Sequence, residues 1–425
     1  MKGVLGARRG PEQEFREAVM KNFCNANSPL KKGITSVCIA VFGLTLMFVA
    51  VSDAHAQRRK SVFGGNKSAD KKADSSKGDK APAAARKQTG TAPPAGIQRK
   101  KIDEEFAPQN LIIEVRKEGI QLAITWFPPI IEKDSKGKKK AINKEAAEEK
   151  EPGKSVAPFI LVHDWTRNRA DLLSLGSFLQ SQGHAVIVPD LRGHGQSLTV
   201  AGSTKQLDHS KFRKAEKASA VRDIDQCKRF LQEKNNEGIL NIDLLNVVAV
   251  GDSAHLAIAW AIGDWSWGPV QGRKQGKDVK SLILFSPTRK FAGSALKKMT
   301  KEPLISGRNS TPLPMLVIWG GNSEAAEGCS SWIKLLRKFR PEVGEDQPLE
   351  TRWANQNLFH VEPSTSMTGF ELAGNPNARD TVWTFVNNFV SQKVMSFEDQ
   401  CPWQLRGAAA AEAAKKKTIN HLSSS

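Results

Sequence analysis

The sequence predicts an α/β domain in which a mostly parallel sheet carries helices on both faces. Residues 102–394 are enough chain for one large hydrophobic core. Several short apolar runs in this part lack polar alternation, which is typical of strands that are covered on both sides. Stretches with helical spacing of apolar residues separate these runs, and that alternation is the pattern of an α/β fold.

The predicted strands begin with a hairpin and continue as single apolar runs. The hairpin joins residues 111–115 to residues 120–126 through a turn at Glu118-Gly119. The later runs cover residues 159–162, 185–188, 245–250, 282–285, 315–319 and 349–354. We therefore expect a sheet that starts antiparallel and becomes parallel.

The predicted helices lie between and after these runs, over residues 171–182, 216–234, 332–339 and 379–392. In the last helix, Val382, Val386 and Phe389 recur at helical spacing together with Phe385, which indicates core packing rather than a binding surface. Asn375-Pro376-Asn377 supplies a plausible helix start.

The first 56 residues have the features of an export signal. Lys31 and Lys32 precede an apolar stretch over 34–51, and Ala54-His55-Ala56 matches a small-x-small cleavage site. Met20 would give a more ordinary start. The apolar stretch is near the lower limit for a membrane span, so an uncleaved anchor at 34–51 is the alternative. We expect a secreted or periplasmic protein.

Residues 57–101 carry 13 basic and 3 acidic residues and almost nothing to bury, so we predict a disordered linker. This linker holds most of the net charge of +19. The folded part of the chain has a net charge close to zero, and the linker is basic. This distribution favours binding of the linker to an acidic envelope polymer or a membrane surface over binding to a specific nucleic acid. A solvated spacer without a partner is the alternative. We also predict a charged surface insertion at 132–154 and a tail at 395–425.

Cysteine spacing and glycine motifs predict no cofactor. Outside the presequence only Cys227, Cys329 and Cys401 remain, and no CxxC or Cys/His ligand spacing occurs. A structural metal site is therefore not expected. No Gly-x-Gly-x-x-Gly follows a strand and no Walker pattern is present, which argues against a nucleotide.

The most informative motif is Gly251-Asp252-Ser253-Ala254-His255. It follows the apolar run 245–250 and leads into an apolar stretch with helical character. This order of strand, sharp turn and helix holds a serine hydroxyl at the carboxyl end of a central strand. His255 stands where the close approach of helix and strand favours a small residue. A turn serine that caps the following helix is the alternative role for Ser253.

Two further segments extend the pattern: Pro158-Phe-Ile-Leu-Val-His-Asp-Trp165 and Pro189-Asp-Leu-Arg-Gly-His-Gly-Gln-Ser197. The first looks like the strand ending in His-Gly that borders an oxyanion hole. The second closely matches an Asp-x-Arg-Gly-x-Gly-x-Ser loop. With the serine turn, they make residues 102–394 resemble the α/β-hydrolase fold family. The resemblance implies a three-layer α/β sandwich.

The same resemblance implies a set of roles for acyl transfer. Ser253 would be the nucleophile, His360 the base and Glu324 the acid. The backbone amides of Ala254 and Trp165 would bind the oxyanion. The implied activity is an exported serine hydrolase that acts on a small-molecule ester or amide through an acyl-enzyme.

Four positions depart from the family pattern: Asp164, His255, Ser323 and Thr368. Asp164 replaces a glycine, and a carboxylate pointing into the hole would repel the oxyanion. Ser323 stands at the family's acid position, one place before Glu324. In a competing alignment through residues 365–372, Thr368 takes the place of the base. These departures favour a second hypothesis, a non-catalytic binding or scaffold protein of the cell envelope.

Trp265 and Trp267 lie close together after the predicted elbow helix. They fit either an aromatic wall for a sugar or aryl ligand or buried packing with each indole N–H satisfied. Packing is the simpler interpretation.

Overall fold

The computed structural model describes residues 104–133, 139–140, 152–271, 273–308, 310–344 and 346–412. The predicted export signal, the linker and most of the charged insertion lie outside these residues. In the part of the chain that is described, no helix has the length and apolar character needed to cross a membrane.

The apolar runs form a central sheet of eight main strands: β1 Gln109–Val115, β2 Ile120–Phe127, β3 Pro158–Val162, β4 Ala185–Pro189, β5 Leu245–Val250, β6 Val279–Phe285, β7 Met315–Ile318 and β8 Leu358–Val361. Their order is β1-β2-β4-β3-β5-β6-β7-β8, and the short strand Thr199–Val200 also pairs with β2. β2 is antiparallel to β1 and β4, and all later pairs are parallel. The predicted mostly parallel sheet is confirmed.

The helices are α1 Leu173–Ser181, α2 Lys214–Ser219, α3 Val221–Asn236, α4 Ser253–Ser266, α5 Leu296–Met299, α6 Pro303–Ser306, α7 Ala326–Arg337, α8 Leu349–Asn355, α9 Gly369–Gly374 and α10 Pro376–Phe389. Apolar side chains of α3, α4 and α7 share one core with the sheet, and those of α1, α9 and α10 share another. The sheet is therefore covered on both faces, which is why its strands lack polar alternation.

One predicted strand is a helix. Residues 349–354 lie in α8, and the last strand is β8. Pro348 precedes α8 and Glu350 lies in its first turn, both of which favour a helix start. Leu349 and Trp353 are four residues apart, so one face of the helix packs on the core.

The folded body continues past residue 394, where the sequence predicted a tail. Arg406 is buried and pairs with Asp243 and Asp278 at 2.7 Å each. The Trp403 indole N–H donates to the Asn235 carbonyl at 3.1 Å. Buried charges persist only when they are paired, so these contacts make the segment part of the domain.

Two buried histidines give the fold a pH dependence. His163 accepts the Leu191 N–H at Nε2 (3.0 Å), and its Nδ1 lies 2.7 Å from the Asp164 carbonyl, an arrangement that suits a neutral ring. Burial lowers the pKa of His163 to about 4, with a further contribution from His194, and burial also lowers the pKa of His184 to about 4.

The unfolded chain, with histidine pKa values near 6.5, binds more protons than the folded chain between pH 6.5 and 4. We therefore expect stability to be complete above pH 6.5 and to fall on acidification, by up to about 1.4 kcal/mol per pH unit for each histidine. Urea unfolding between pH 7 and pH 5 measures this slope. His184→Phe should make the slope shallower, because the proton that His184 takes up on unfolding is no longer bound. Stability that stays constant over this interval would contradict the assignment.

Candidate active site

The sharp turn after β5 is centred on Gly251. β5 ends at Val250 and α4 begins at Ser253. Gly251 has φ +56°, in the left-handed region, whereas Asp252 is already helical with φ −60° and ψ −34°. A nucleophile elbow holds its nucleophile at the strained residue between strand and helix. That position belongs to Gly251, which has no side chain to react.

The spacing of small residues in the sequence also indicates Gly251 as the centre of the turn, although the motif was first centred on Ser253. Counting from Gly251, small residues stand two places before and two places after the turn, at Ala249 and Ser253, and both are buried. The frame centred on Ser253 instead places His255 in the crowded position. Moving the frame by two residues removes that conflict.

The carboxylate of Asp164 occupies the oxyanion position. A hydrolase of this type binds the oxyanion with the N–H of the residue after the nucleophile and with an N–H from the loop after the third strand. Here the Asp252 N–H donates to Asp164 Oδ1 at 3.3 Å, and the backbone N–H groups of Trp165 and Thr166 are close enough to lower the pKa of that carboxylate. A Cβ built on Gly251 would lie 2.6 Å from Asp164 Cγ.

The surroundings of this carboxylate raise its pKa above the ordinary value, mainly through burial. Burial raises the pKa of Asp164, the negative charge of Asp252 raises it further, and the three backbone N–H groups lower it. The Thr288 hydroxyl donates to Asp252 at 2.6 Å and holds the second carboxylate beside the first. A developing oxyanion would meet negative charge here instead of free donors, which is the reverse of what acyl transfer needs.

Ser253 and Ala254, the predicted nucleophile and oxyanion donor, are the first two residues of α4. The Ser253 hydroxyl is buried and has no hydrogen-bond partner among the described residues. The Ala254 N–H donates to the Gly251 carbonyl at 3.3 Å, so it closes the turn and is not free to bind an oxyanion.

His360 lies within β8 rather than in the loop after the last strand. Register places it level with Ala249 of β5, three strands away, which corresponds to roughly 14 Å between the backbones. Its ring stacks on Trp319 at 5.6 Å, and its Nδ1 lies 3.3 Å from Arg337 Nη2. The structure does not bring His360 to Ser253.

The loop after β7 has no acid directed at a histidine. Ser323, in the place of the family's acid, donates its hydroxyl to the Gly320 carbonyl at 2.7 Å and closes a turn. Glu324 is exposed and makes no hydrogen bond to any residue that the structure describes. It lies just ahead of α7, which begins at Ala326.

Thr368, which replaces the base in the competing alignment, caps α9. Its N–H donates to Glu371 Oε2 at 2.6 Å, and its hydroxyl lies 3.1 Å from the same oxygen. This reciprocal capping is a structural role.

The remaining histidines near this edge of the sheet are held by backbone groups. His255 Nε2 lies 2.7 Å from the Thr288 carbonyl, so the ring points away from Ser253. His194 lies between the carbonyls of Arg192 and Trp165, at 2.9 and 2.5 Å. Within the described residues, no group of three or more His, Cys, Asp and Glu side chains is placed to hold a metal ion.

The two tryptophans after the elbow differ. Trp265 donates its indole N–H to the Val279 carbonyl at 2.9 Å, as the packing interpretation predicts. Trp267 is 63% exposed, so the packing interpretation is wrong for this indole.

The sheet order, with the third and fourth strands exchanged, and the strand-turn-helix at the end of β5 define the α/β-hydrolase fold, and the chain has this fold. It covers both faces of the sheet with helices, as the sequence predicted. The resemblance to α/β hydrolases is thereby confirmed at the level of the fold.

The chain is similar to known proteins in structure but not in sequence. No protein-family model and no curated protein sequence matches the chain. Among solved structures, it is similar to a putative dienelactone hydrolase from Klebsiella pneumoniae, with 11% identity, a TM-score of 0.41 and coverage of 67% of this chain and 99% of that chain. An esterase from Rhizomucor miehei has 13% identity, a TM-score of 0.42 and coverage of 69% and 85%. Esterase 2 from Thermogutta terrifontis has 13% identity, a TM-score of 0.42 and coverage of 67% and 94%. These three proteins are named as a hydrolase and two esterases, and the likeness concerns the fold alone.

Proposed function

We propose that this chain is a non-catalytic α/β-hydrolase-fold protein that is exported and serves as a binding or scaffold module at the cell envelope. The observation that carries the proposal is the Asp164 carboxylate, which sits on the oxyanion amides beside a glycine in the nucleophile position.

Each part of the acyl-transfer machinery is replaced by a structural contact. Gly251 cannot attack a carbonyl, and the N–H of Asp252 is engaged by Asp164. His360 lies in β8, three strands away from β5, and Thr368, the position of the base in the competing alignment, caps a helix. Ser323, in the family's acid position, closes a turn, and the neighbouring Glu324 is exposed. Acyl transfer needs a nucleophile, a base and free N–H donors for the oxyanion. A protein that lacks them can keep the fold without the activity.

Export supplies the location in this proposal. It rests on the apolar stretch 34–51 and on the Ala54-His55-Ala56 site, with the basic linker 57–101 as a spacer to an acidic surface. The uncleaved form, anchored by 34–51, would place the same domain at a membrane.

The competing function is a serine hydrolase in which Ser253 attacks a small-molecule ester or amide. Its support is the location of Ser253 at the start of α4, close to the carboxyl end of β5. The two functions differ in one property, the reactivity of the Ser253 hydroxyl.

Labelling of the full chain with a fluorophosphonate probe tests this difference. We expect no labelling, and we expect the wild type and Ser253→Ala to hydrolyse p-nitrophenyl esters at the same background rate. Labelling that disappears in Ser253→Ala, together with an esterase rate that falls in parallel, would refute the non-catalytic function.

A stability measurement on Gly251→Ser tests the geometry itself. We expect a loss of about 1–3 kcal/mol, because the new side chain requires a left-handed backbone and collides with the Asp164 carboxylate. The same change in an Asp164→Gly background should cost clearly less, since the colliding carboxylate is gone. Equal costs in the two backgrounds would mean that Asp164 does not fill this space.

A further inference from the structure

Two of the three large apolar side chains that are exposed in the described residues lie on one hairpin. Trp267 is 63% exposed and Val270 is 57% exposed, both in residues 267–277 between α4 and β6. We call this segment the Trp267 hairpin. The third, Ile112, is 60% exposed on the edge strand β1.

The tip of the hairpin is a closed turn. Val270 and Arg273 exchange two backbone hydrogen bonds of 3.0 Å, and Gln271 has φ +51°. The exposure of Val270 is therefore fixed by the turn.

The base of the hairpin is tied to the buried charges of the domain. The Lys277 N–H donates to the Asp264 carbonyl at 2.9 Å. Lys274 forms an ion pair with Asp243 and lies 3.5 Å from Asp278. An anchored base holds the apolar side chains outward in one position, which lowers the conformational entropy that binding costs.

The charge of the hairpin has one sign. It contains Arg273, Lys274 and Lys277 and no acidic residue. Lys274 is used by the anchor, whereas neither Arg273 nor Lys277 forms an ion pair with a residue that the structure describes. Two uncommitted cations thus accompany two exposed apolar side chains.

We propose that the Trp267 hairpin docks the domain peripherally on an anionic lipid bilayer. Trp267 and Val270 would enter the interfacial layer, where an indole ring is favoured, and Arg273 and Lys277 would lie at the anionic headgroups. The proposal does not depend on whether the candidate active site is catalytic, and it gives the folded body a membrane contact separate from the basic linker.

The size and chemistry of the patch favour lipid over a macromolecular partner. A stable protein interface buries about 800 Å² on each partner, far more than two side chains provide. A nucleic acid would engage the cations and could stack on Trp267, but phosphates would leave Val270 exposed. An anionic bilayer offers an apolar environment to Trp267 and Val270 and negative headgroups to Arg273 and Lys277 at the same time.

Co-sedimentation of the full chain with vesicles tests the proposal. The vesicles are phosphatidylcholine alone or equal parts of phosphatidylcholine and phosphatidylglycerol. We expect binding to the anionic vesicles and a loss of affinity of roughly tenfold in the double variant Trp267→Ser/Val270→Ser, since the buried apolar area is removed. Ile112→Ser is the matched control and should bind like the wild type. Thermal unfolding should be similar for all variants, because the changed side chains are exposed.

Quenching by lipids brominated in their acyl chains identifies the inserted residue. We expect these lipids to quench part of the wild-type tryptophan fluorescence, and this part should disappear in Trp267→Phe. The proposal is overturned if the wild type does not co-sediment with anionic vesicles, or if the double variant binds them as well as the wild type does. In the latter case the linker alone accounts for binding.

Discussion

Replacing Asp223 with alanine is expected to lower the free energy of unfolding by about 3–5 kcal/mol. Asp223 is fully buried in α3 and accepts hydrogen bonds from the Arg192 backbone N–H at 2.8 Å and from its guanidinium at 2.6 and 2.9 Å. Arg192 is also buried, so the variant leaves a buried cation whose remaining ion-pair partner among the described residues is Glu118. The pair holds the loop after β4 against α3. Urea denaturation measures the loss.

The matched control for Asp223→Ala is Asp225→Ala, two residues along the same helix. Asp225 pairs with Arg229 at 2.9 Å, but both side chains are exposed, and such pairs contribute at most about 0.5 kcal/mol. A similar small effect in both variants would show that the Arg192–Asp223 pair is not the anchor of this loop.

Replacing Asp278 with alanine is expected to cost a similar 3–5 kcal/mol. Asp278 is fully buried and lies 2.8 Å from Lys228 Nζ and 2.7 Å from Arg406 Nη2. Its loss leaves excess positive charge in a buried cluster, which is costly because water is excluded. Thermal or urea unfolding reports the effect, and the C-terminal segment held by Arg406 should become sensitive to protease.

Glu237→Ala is the control for Asp278→Ala. Glu237, whose side chain is 49% exposed, forms an ion pair with the half-buried Lys234 at 3.0 Å, so its removal should change stability by less than about 0.5 kcal/mol. If Asp278→Ala unfolds like this control and keeps its C-terminal segment protected, the buried cluster does not hold the segment in place.

The sheet could be predicted from the sequence because its signals are local. The runs that became β3 to β7 are almost entirely apolar and lack polar alternation, which is the composition expected of strands buried on both faces. The error at 349–354 has a local cause as well, because a two-turn helix with apolar residues at Leu349 and Trp353 resembles a short strand when its Pro348 start is ignored.

The site was harder to predict because its outcome depends on backbone geometry. The sequence showed that Asp164 replaces a glycine, but the direction of its side chain is set by the turn after β3 and by the Asp252 N–H. The motif centred on Ser253 matched a familiar spacing, whereas the frame centred on Gly251 becomes apparent only when φ identifies the strained residue. The tail beyond residue 394 was missed for a similar reason, since the buried partners of Arg406 lie far away in sequence.

A crystal structure of the full chain would distinguish the non-catalytic protein from the serine hydrolase at the level of individual atoms. We expect that the Asp164 carboxylate accepts the Asp252 N–H, that Gly251 keeps its left-handed backbone and that no histidine lies within hydrogen-bonding distance of the Ser253 hydroxyl. An Asp164 side chain turned to solvent, with water on the oxyanion amides and a histidine bonded to Ser253, would contradict it.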